Sequence, residues 1–448
     1  MSKLDNTFNL LDDLIKQTLK AGCDAAEAVF VSHDGVSASV PHARLEHIER
    51  PSGTALGLRA FCGKRQTSLS TSDLSGKALK KLVTEAVQIA KVSPEDPYCG
   101  LIEGDELASN SHKDLEIFDS AQPPADDLKE MALRAEAVAL EEKAITNSEG
   151  AGAGWSKKTK YFLTSKGFRG SYSSSSFSLS AVVIAGQGAR MERDYEYSTT
   201  RFLADLTTPE EIGRKAAERT VKRLNPRKIK TGPVPVIFSR RISASLLGHF
   251  SGAINGQAIA RGTSFLKDAM EGQVFSRSIR IIDDPLRKRG LASRPFDAEG
   301  VAAEPLAIVR DGILQSWLLD APSARELKLK TTGHAARGLA SPPYPAPTNF
   351  YMENGTLSVP EMLKEIGSGF LVTELIGMGV NLVTGDYSRG ATGFWIEGGE
   401  IAYAVNEVTI AGNLKDMFLN LTPASDLEFK NAINAPTVLL GEMMVAGA

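Results

Sequence analysis

Hydrophobic residues recur at helical spacing in four segments of the first half of the chain. The first segment ends at Gly22, a residue type at which helices commonly stop, and the second follows Ser75, whose side chain suits an N-cap. The third begins directly after Pro123 and Pro124. The spacing therefore predicts helices at about residues 8–19, 76–90, 125–144 and 209–224.

Short runs of alternating polar and apolar residues lie between these helices and predict strands. The stretch from His33 to Gly35 predicts a turn between two of them, and the stretch from Cys62 to Arg65 predicts a hairpin. The serine cluster at 171–180 suits a strand because Phe177 alternates with its serines. The strands predicted in the first half are residues 28–31, 36–40, 55–61, 161–163, 177–184 and 195–202.

Predicted strands dominate the second half of the chain, where glycine-bearing turns separate them. They are residues 234–238, 280–282, 306–310, 313–318, 370–374, 392–396 and 405–410. An amphipathic helix is predicted at 242–254 and another after Pro360. Residues 333–351 include four prolines, which predicts a long irregular loop, and a long loop inside a compact domain is often functional.

A connection between two domains is predicted near residue 225. The segment 225–233 combines two prolines, a glycine and several basic residues, a composition typical of exposed linkers. The sequence therefore predicts an N-terminal α+β domain at 1–225 and a β-rich C-terminal domain at 226–448. Helix-rich segments followed by strands, without a βαβ rhythm, favour an α+β fold: a helix-bearing α/β domain and then a mostly antiparallel, β-rich domain.

Composition and charge narrow the classes of function. Hydrophobic residues make up 42% and charged residues 23% of the 448 positions, which is typical of a folded globular protein. A net charge of -3 gives no excess of basic residues to neutralise phosphates, so nucleic-acid binding is not expected. The first residues lack the apolar core of a signal peptide, and no apolar stretch of about twenty residues occurs, so we expect a cytoplasmic protein that does not span a membrane.

The three cysteines, Cys23, Cys62 and Cys99, form an odd set whose spacings match neither a disulfide scaffold nor a paired zinc motif. Reduced, mostly buried thiols are therefore expected.

Motifs for nucleotide binding and nucleophilic catalysis are incomplete. The stretches beginning at Gly186 and Gly377 lack the third glycine of a dinucleotide fingerprint, and both are interpreted as turns. Ser388 resembles the nucleophile of a hydrolase elbow in outline, but Asp386 occupies the position of the first glycine. The catalytic set of a self-sufficient hydrolase is therefore not recognisable.

The six histidines do not form the helical pair of a zinc peptidase, in which two histidines share one face with a glutamate beside the first. His42 and His47 are close in sequence, but the glutamate, Glu46, stands beside the second histidine. His249 lies on the helix at 242–254 among apolar residues, where a structural role is expected. No catalytic or metal-ligating residue is therefore assigned to this chain.

Candidate binding residues lie on two loops of the second half. His334 and Arg337 belong to the proline-rich loop, and Asp386, Tyr387 and Arg389 lie between glycines ahead of an aromatic strand. Polar residues on loops held by a rigid sheet often bind ligands. The alternative is that Asp386 and Arg389 form a pair that braces a tight loop.

The residues from Gly385 to Glu397 and from Val405 to Phe418 closely resemble the TldD/PmbA family of metallopeptidases. Four further stretches support the resemblance in the order that the family shares: residues 261–264, 283–285, 296–300 and 333–337. The resemblance covers essentially the whole chain and is strongest from Val234 onward.

The resemblance implies a helical His-Glu-x-x-x-His zinc motif shortly before Arg261 and a cysteine near the C-terminus, as in TldD-type chains. Here Leu247 and Gly252 stand at the two expected histidine positions and Gly248 at the glutamate position, and no cysteine follows Cys99. Within the family, this joint loss marks the subunit type that lacks the catalytic centre.

The resemblance further implies a complex with a TldD-type metallopeptidase subunit that carries the zinc ion, while this chain carries no cofactor. The substrates implied are unfolded or extended peptides, in peptide-antibiotic maturation or antitoxin degradation. An extended peptide could be held by addition to a sheet edge.

Two other interpretations remain open. The chain could be a self-sufficient hydrolase with a site around Asp386, Ser388 and Arg389, or a regulator that binds DNA gyrase directly, as the older description of the family suggests. Whether the chain forms a homodimer without its partner is also left open.

Overall fold

A computed structural model describes residues 3–41, 47–109 and 114–447. The first half contains a seven-stranded sheet with helices on one face. The strands are β1 (Ala25–Val40), β2 (His47–Glu49), β3 (Gly53–Cys62), β4 (Arg65–Thr71), β5 (Ile145–Thr164), β6 (Arg169–Ala185) and β7 (Glu192–Thr200). The helices are α1 (Lys3–Lys20), α2 (Gly76–Val92), α3 (Ala125–Leu140) and α4 (Pro209–Lys222), with single 3-10 turns at Gly104–Glu106, Gly188–Arg190 and Leu203–Asp205.

The strands follow the order β4-β3-β1-β5-β6-β7, β2 pairs with β1, and all neighbours are antiparallel. Helices α1 and α2 pack on one end of the sheet around Phe30 and Leu58, and α3 and α4 pack on the other end around Trp155 and Phe177. Because side chains alternate along a strand, the opposite face carries a different set of residues, among them Phe162. That helix-free face meets the second half of the chain.

The first-half strands are longer than predicted. The predicted turn at His33 to Gly35 is wrong, because β1 runs through it and pairs continuously with β5. Gly35 makes this possible, since a Cβ atom there would lie 2.8 Å from the backbone oxygen of Trp155. The glycine therefore allows close approach of neighbouring strands and does not end the strand.

The second half contains a second large sheet and many short elements. Its helices are α5 (Arg240–Ala253), α6 (Gly256–Ala260), α7 (Ala321–Glu326), α8 (Val359–Ile366) and α9 (Leu414–Leu419). Its strands are β8 (Gly232–Phe238), β9 (Ile281–Asp283), β10 (Leu306–Arg310), β11 (Ile313–Leu314), β12 (Ala335–Ala336), β13 (Tyr344–Pro345), β14 (Phe350–Met352), β15 (Gly369–Ile376), β16 (Asp386–Glu397), β17 (Glu400–Asn413), β18 (Thr422–Pro423), β19 (Ile433–Asn434) and β20 (Val438–Ala446).

The large sheet has the order β17-β16-β15-β8-β20-β18, and an additional pairing of β17 with β20 closes the circle of hydrogen-bonded strands. The pairs are antiparallel except for β15 with β8. Helix α5 buries Leu246, Leu247 and Phe250 in the same core as Phe238 and Phe370 of the sheet. This core fixes α5 beside the start of β16.

The predicted α+β fold class is confirmed by the mixture of sheets and helices. The division into domains at residue 225 stays a prediction. The predicted irregular loop at 333–351 contains the short strands β12 and β13 and the start of β14, and the predicted strand at 313–318 keeps only β11. Among the described residues, no helix is both long and apolar enough to cross a membrane.

The expectation of three reduced thiols is wrong for two of the cysteines, because the structure joins Cys23 and Cys62 by a disulfide. Cys23 lies just before β1 and Cys62 ends β3, and the pairing of Ala25 with Phe61 brings the two cysteine Cα atoms to 4.6 Å, within the range of disulfides. Cys99 is free and buried. The pairing follows from strand register, which the spacing of cysteines does not reveal.

Direct contacts join the two halves. Phe296 packs against Phe168 with ring centroids 4.9 Å apart. Arg325 donates hydrogen bonds to the carbonyl oxygens of Tyr98, Gly100 and Leu101. The loops of the second half are thereby held against the helix-free face of the first sheet.

Candidate functional site

The structure places the five predicted binding residues in two environments. His334 and Arg337 lie where the second-half loops meet the first sheet, and Asp386, Tyr387 and Arg389 lie at the start of β16. In both environments, burial and existing hydrogen-bond partners decide whether a side chain can reach a ligand.

His334 is buried, with 1% of its side chain exposed. Its Nε2 lies 3.2 Å from Asp283 Oδ1, and its Nδ1 lies 2.9 Å from Thr332 Oγ1. Asp283 also accepts hydrogen bonds from the backbone N–H and the hydroxyl of Thr348. His334 is therefore buried beside Asp283 of β9 with Thr332 as its hydrogen-bond partner, and its binding role stays a prediction.

Arg337 forms a buried ion pair with Glu27 of β1, and Glu27 also lies 3.3 Å from Arg59 Nη1. Burial lowers the pKa of Arg337 to about 10. Its Nε atom is buried without a hydrogen-bond partner in the described structure. Arg337 therefore joins the halves while keeping one donor unused.

Asp386 is exposed and accepts hydrogen bonds from Thr384 Oγ1 at 2.6 Å and Asn413 Nδ2 at 3.2 Å. These contacts brace the turn before β16, as the structural alternative proposed, but through Asn413 and not through Arg389. Because β16 is extended, Asp386 and Ser388 share one face and Tyr387 and Arg389 share the other. The strand therefore separates Asp386 and Ser388 from Arg389 and does not assemble them as one hydrolase site.

Tyr387 and Arg389 face α5, where four buried polar atoms make no hydrogen bond of good geometry within the described chain: Ser245 Oγ, His249 Nε2, Tyr387 Oη and Arg389 Nε. Arg389 is nevertheless close enough to the Tyr387 hydroxyl to oppose the rise in its pKa. The rings of Tyr387 and His249 are in edge contact, with centroids 6.0 Å apart. Ser245 and His249 are four residues apart on α5 and so share one side of the helix. We call these four residues the polar cluster.

Burial sets the protonation of the polar cluster. It raises the pKa of Tyr387, and burial together with the positive charge of Arg389 lowers the pKa of His249. Tyr387 is therefore a neutral phenol and His249 a neutral imidazole at neutral pH. The cluster can donate and accept hydrogen bonds, and only Arg389 brings a charge.

The sequence interpretation missed Ser245 and assigned His249 a structural role. The available signal was the presence of two glycines, Gly248 and Gly252, close to Ser245 and His249. The helix face is open at Gly248, whereas a Cβ atom at Gly252 would lie 2.9 Å from Leu382 Cδ1, so the chain packs closely there.

A zinc ion does not fit the residues at the expected motif. Leu247 is fully buried in the hydrophobic core, and Gly248 and Gly252 offer no side-chain ligand. His42 lies outside the described residues, and His47 is exposed with its Nε2 2.9 Å from Glu49 Oε1. Across residues 3–41, 47–109 and 114–447, no group of three or more His, Cys, Asp or Glu side chains could hold a metal ion.

Family comparisons match three successive segments of the chain. They are the PmbA/TldA metallopeptidase domain 1 at residues 26–90, the central domain at 118–224 and the C-terminal domain at 231–447. Together they include the helix-bearing first half and the β16 site.

Relatives match over nearly the full length. The chain is 41% identical to Metalloprotease PmbA of Escherichia coli O157:H7 over all of this chain and 98% of the relative. It is 39% identical to the Metalloprotease PmbA homolog of Haemophilus influenzae over 97% of this chain and 94% of that one.

Solved structures share the fold. A Bacteroides thetaiotaomicron protein described as a candidate modulator of DNA gyrase matches with a TM-score of 0.91 and 26% identity, covering 99% of each chain. TldE from Thermococcus kodakarensis matches with a TM-score of 0.86 and 22% identity, covering 98% of this chain and all of that one, and shows the fold alone. From its full-length relatives and its three matched domains, the chain belongs to the PmbA/TldD family of metallopeptidases, as one of its PmbA members.

Proposed function

We propose that this chain is the non-catalytic subunit of a TldD-type zinc metallopeptidase complex that cleaves unfolded or extended peptides. The observation that carries the proposal is the joint absence of ligands at Leu247, Gly248 and Gly252 in a chain that keeps the family fold over its whole length. In this proposal the TldD-type partner holds the zinc ion and supplies the chemistry.

The polar cluster gives this subunit a way to contact the substrate or partner. A buried polar atom without a partner costs about 1–3 kcal/mol, so such atoms are usually matched by water or by a bound molecule. Neutral Tyr387 and His249 and charged Arg389 could hydrogen-bond the amides and carbonyls of an extended peptide. This would position a peptide without cleaving it.

The experiment measures cleavage of an unfolded peptide by this chain alone, by the TldD-type chain of the same organism alone and by both together. Zinc is measured in each purified chain. Cleavage that requires both chains, with zinc only in the partner, supports the proposal. A pair whose TldD-type chain has lost its zinc-binding histidines controls for contaminating peptidases and should be inactive.

Cleavage and zinc binding by this chain alone would overturn the proposal and favour a self-sufficient hydrolase. His47 and His249 would then be the first described residues to replace, followed by His42.

One related structure is described as a candidate modulator of DNA gyrase, so direct regulation of gyrase is a second candidate function. A direct gyrase-binding regulator predicts that purified gyrase is retained by the immobilised chain without the TldD-type partner. Retention of that partner but not of gyrase supports the peptidase complex.

A further inference from the structure

A cleft of about 530 Å³ lies between the helix-free face of the first sheet and the second-half loops near residues 291–294 and 336–339. Five basic side chains line it: Lys158, Lys160, Arg201, Arg294 and Arg337. None of the described residues that line it is an aspartate or a glutamate. We call it the basic cleft.

Strand alternation builds one wall of the basic cleft. Lys158 of β5 pairs with Ser174 of β6, and Lys160 pairs with Tyr172, so these four side chains project from the same face of the sheet. The serine cluster thus supplies hydroxyls between the lysines. Val31 and Leu339 add apolar surface to the same cleft.

Most of the cations in the basic cleft form no ion pair with a carboxylate of the described chain, although Asp297 is near enough to Arg294 and Lys160 to act on them electrostatically. Arg201 donates to the carbonyl oxygens of Ser175, Gly290 and Leu291, which are neutral acceptors. Arg294 donates from Nη2 to the Gly333 carbonyl at 3.3 Å, and its buried Nε has no partner in the described structure. Of the five, Arg337 alone forms an ion pair within the described chain, with Glu27, and it too keeps a buried Nε without a hydrogen-bond partner.

Lys160 likewise forms no ion pair within the described chain. Its ammonium lies 5.5 Å from the ring centroid of Phe162 and 6.0 Å from that of Phe296. Burial and the charge of Arg294 lower its pKa to about 8, against an opposing effect of Asp297. Asp297 is itself occupied by the backbone N–H groups of Glu299, Val301 and Ala335. A second anion near Lys160 would therefore be stabilising.

We propose that the basic cleft binds the carboxylates of an acidic peptide segment. Guanidinium groups with free donors recognise carboxylates by charge-assisted hydrogen bonds, and the serine hydroxyls add neutral donors. The volume is within the range of ligand sites, and the apolar wall suits the aliphatic part of glutamate side chains. The overall negative charge of the chain argues against a nucleic acid as the ligand.

This inference rests on the proposed function, because it names acidic peptides as the class of substrate that the subunit would retain. The carboxylates have two possible sources, glutamate side chains or the peptide C-terminus. Peptides that lack one source or the other distinguish them.

The test measures the fluorescence anisotropy of a labelled, unfolded, glutamate-rich peptide as this chain is added. A peptide with glutamines in place of glutamates and a peptide with an amidated C-terminus identify which carboxylate is bound. Binding of the glutamate-rich peptide that weakens with salt, and is lost with the glutamine peptide or the amidated one, supports the proposal. Equal binding of all three peptides overturns it.

Variants of the cleft lysines test whether the peptide binds in the basic cleft. Lys158→Gln with Lys160→Gln removes two charges from the wall and should raise Kd about tenfold or more, as expected when charge-assisted hydrogen bonds are lost. Lys157→Gln is the matched control, because Lys157 directly precedes Lys158 on β5 but points to the other face of the sheet and donates to the Ser120 carbonyl. Lys158→Gln alone covers the case in which the double variant does not fold. An unchanged Kd in the folded variants overturns the proposal.

The failure of this inference differs from that of the proposed function. The two chains together could cleave the glutamine peptide while the cleft variants bind the acidic peptide with an unchanged Kd. In that case only the inference fails. If the pair cleaves no peptide, the proposed function fails, and the anisotropy still decides whether the cleft binds carboxylates.

Discussion

Two of the clefts between the halves of the molecule differ in whether their cations are paired with carboxylates. The basic cleft has five cations and no lining carboxylate. The other cleft, of about 310 Å³, lies between β7, the start of α5 and residues 426–437, and carboxylates pair with four of its five cations, Arg219, Arg240, Arg241 and Lys430. We call it the paired cleft.

In the paired cleft, ion pairs cross from the first half to the second. Arg241 Nη1 lies 2.5 Å from Asp194 Oδ1, and the guanidinium covers the ring of Tyr195 at 3.8 Å. Lys430 lies 3.4 Å from Glu196, which also pairs with Arg219. Charges that are paired in this way hold the halves together, and few unpaired charges remain to bind a ligand.

The difference separates charges that stabilise the fold from charges that are available for binding. Removing one member of a buried pair leaves the other charge unmatched, which is strongly destabilising. Removing an unmatched cation relieves repulsion and desolvation, so it should affect binding more than stability. The two clefts can be distinguished by unfolding experiments in which the sign of the change matters.

The largest effect is expected at Asp194, whose side chain is 5% exposed and contacts both Arg241 and Arg223. Asp194→Ala should lower the free energy of unfolding by about 3 kcal/mol, because Arg241 loses its carboxylate partner while remaining mostly buried. Urea unfolding followed by circular dichroism measures the change. Glu428→Ala, at an exposed member of the same cleft, is the control and should change stability by less than about 1 kcal/mol. Equal effects of the two variants would contradict this account.

Glu299, behind the basic cleft, is a buried carboxyl that should make stability depend on pH. Burial and the negative charge of Asp297 raise the pKa of Glu299 to about 8, above the ordinary value of 4.5. The native state therefore holds this proton more tightly than the unfolded state does. Its contribution to stability is complete below pH 4.5 and is lost as pH rises towards 8, by roughly 1 kcal/mol per pH unit.

Glu299→Gln keeps an acceptor for the Ala321 N–H and removes the titration. The variant should match the wild type at pH 4 and below and be more stable at pH 8.5. Thermal unfolding at several pH values measures both proteins. A wild-type curve that stays parallel to that of the variant would show that Glu299 does not titrate in this range.

The sequence predicted those features that depend on neighbouring residues. Helix α2 follows Ser75, whose side chain accepts from the Ala78 N–H, and its apolar positions are the buried ones. The family stretches likewise identified the chain, since they are local. The α+β class followed from the order of such elements.

Features that depend on strand register were not predicted. Cys23 and Cys62 meet through the pairing of β1 with β3, and Tyr387 is buried because β16 extends through the supposed loop. The basic cleft brings Lys158 beside Arg294, which is far away in sequence. Whether a charge is paired is a property of the folded chain, and composition alone does not reveal it.

A smaller effect with the opposite sign from Asp194→Ala is expected at Lys160. Because the native pKa of about 8 is below the ordinary 10.5, the unfolded state binds this proton more tightly, and the native state is penalised at neutral pH. Lys160→Met keeps a long apolar chain without the charge and should raise the free energy of unfolding at pH 7 by about 1–2 kcal/mol. The gain should shrink as pH rises from 8 towards 10.5. A loss of stability at pH 7 would show that Lys160 is paired after all.

The smallest effect on stability is expected at Tyr387 of the polar cluster. Its substitution separates a role in stability from a role in binding without changing the charge. Its hydroxyl is buried near the Arg389 guanidinium but makes no hydrogen bond of good geometry within the described chain. Tyr387→Phe keeps the ring against Phe238 and His249 and should therefore change the free energy of unfolding by less than about 1 kcal/mol. If the hydroxyl meets the peptide in the assembled complex, cleavage by the two chains together should fall about threefold or more, with zinc still bound to the partner. A clear loss of stability with unchanged cleavage would place the unused hydroxyl among the groups that hold the fold.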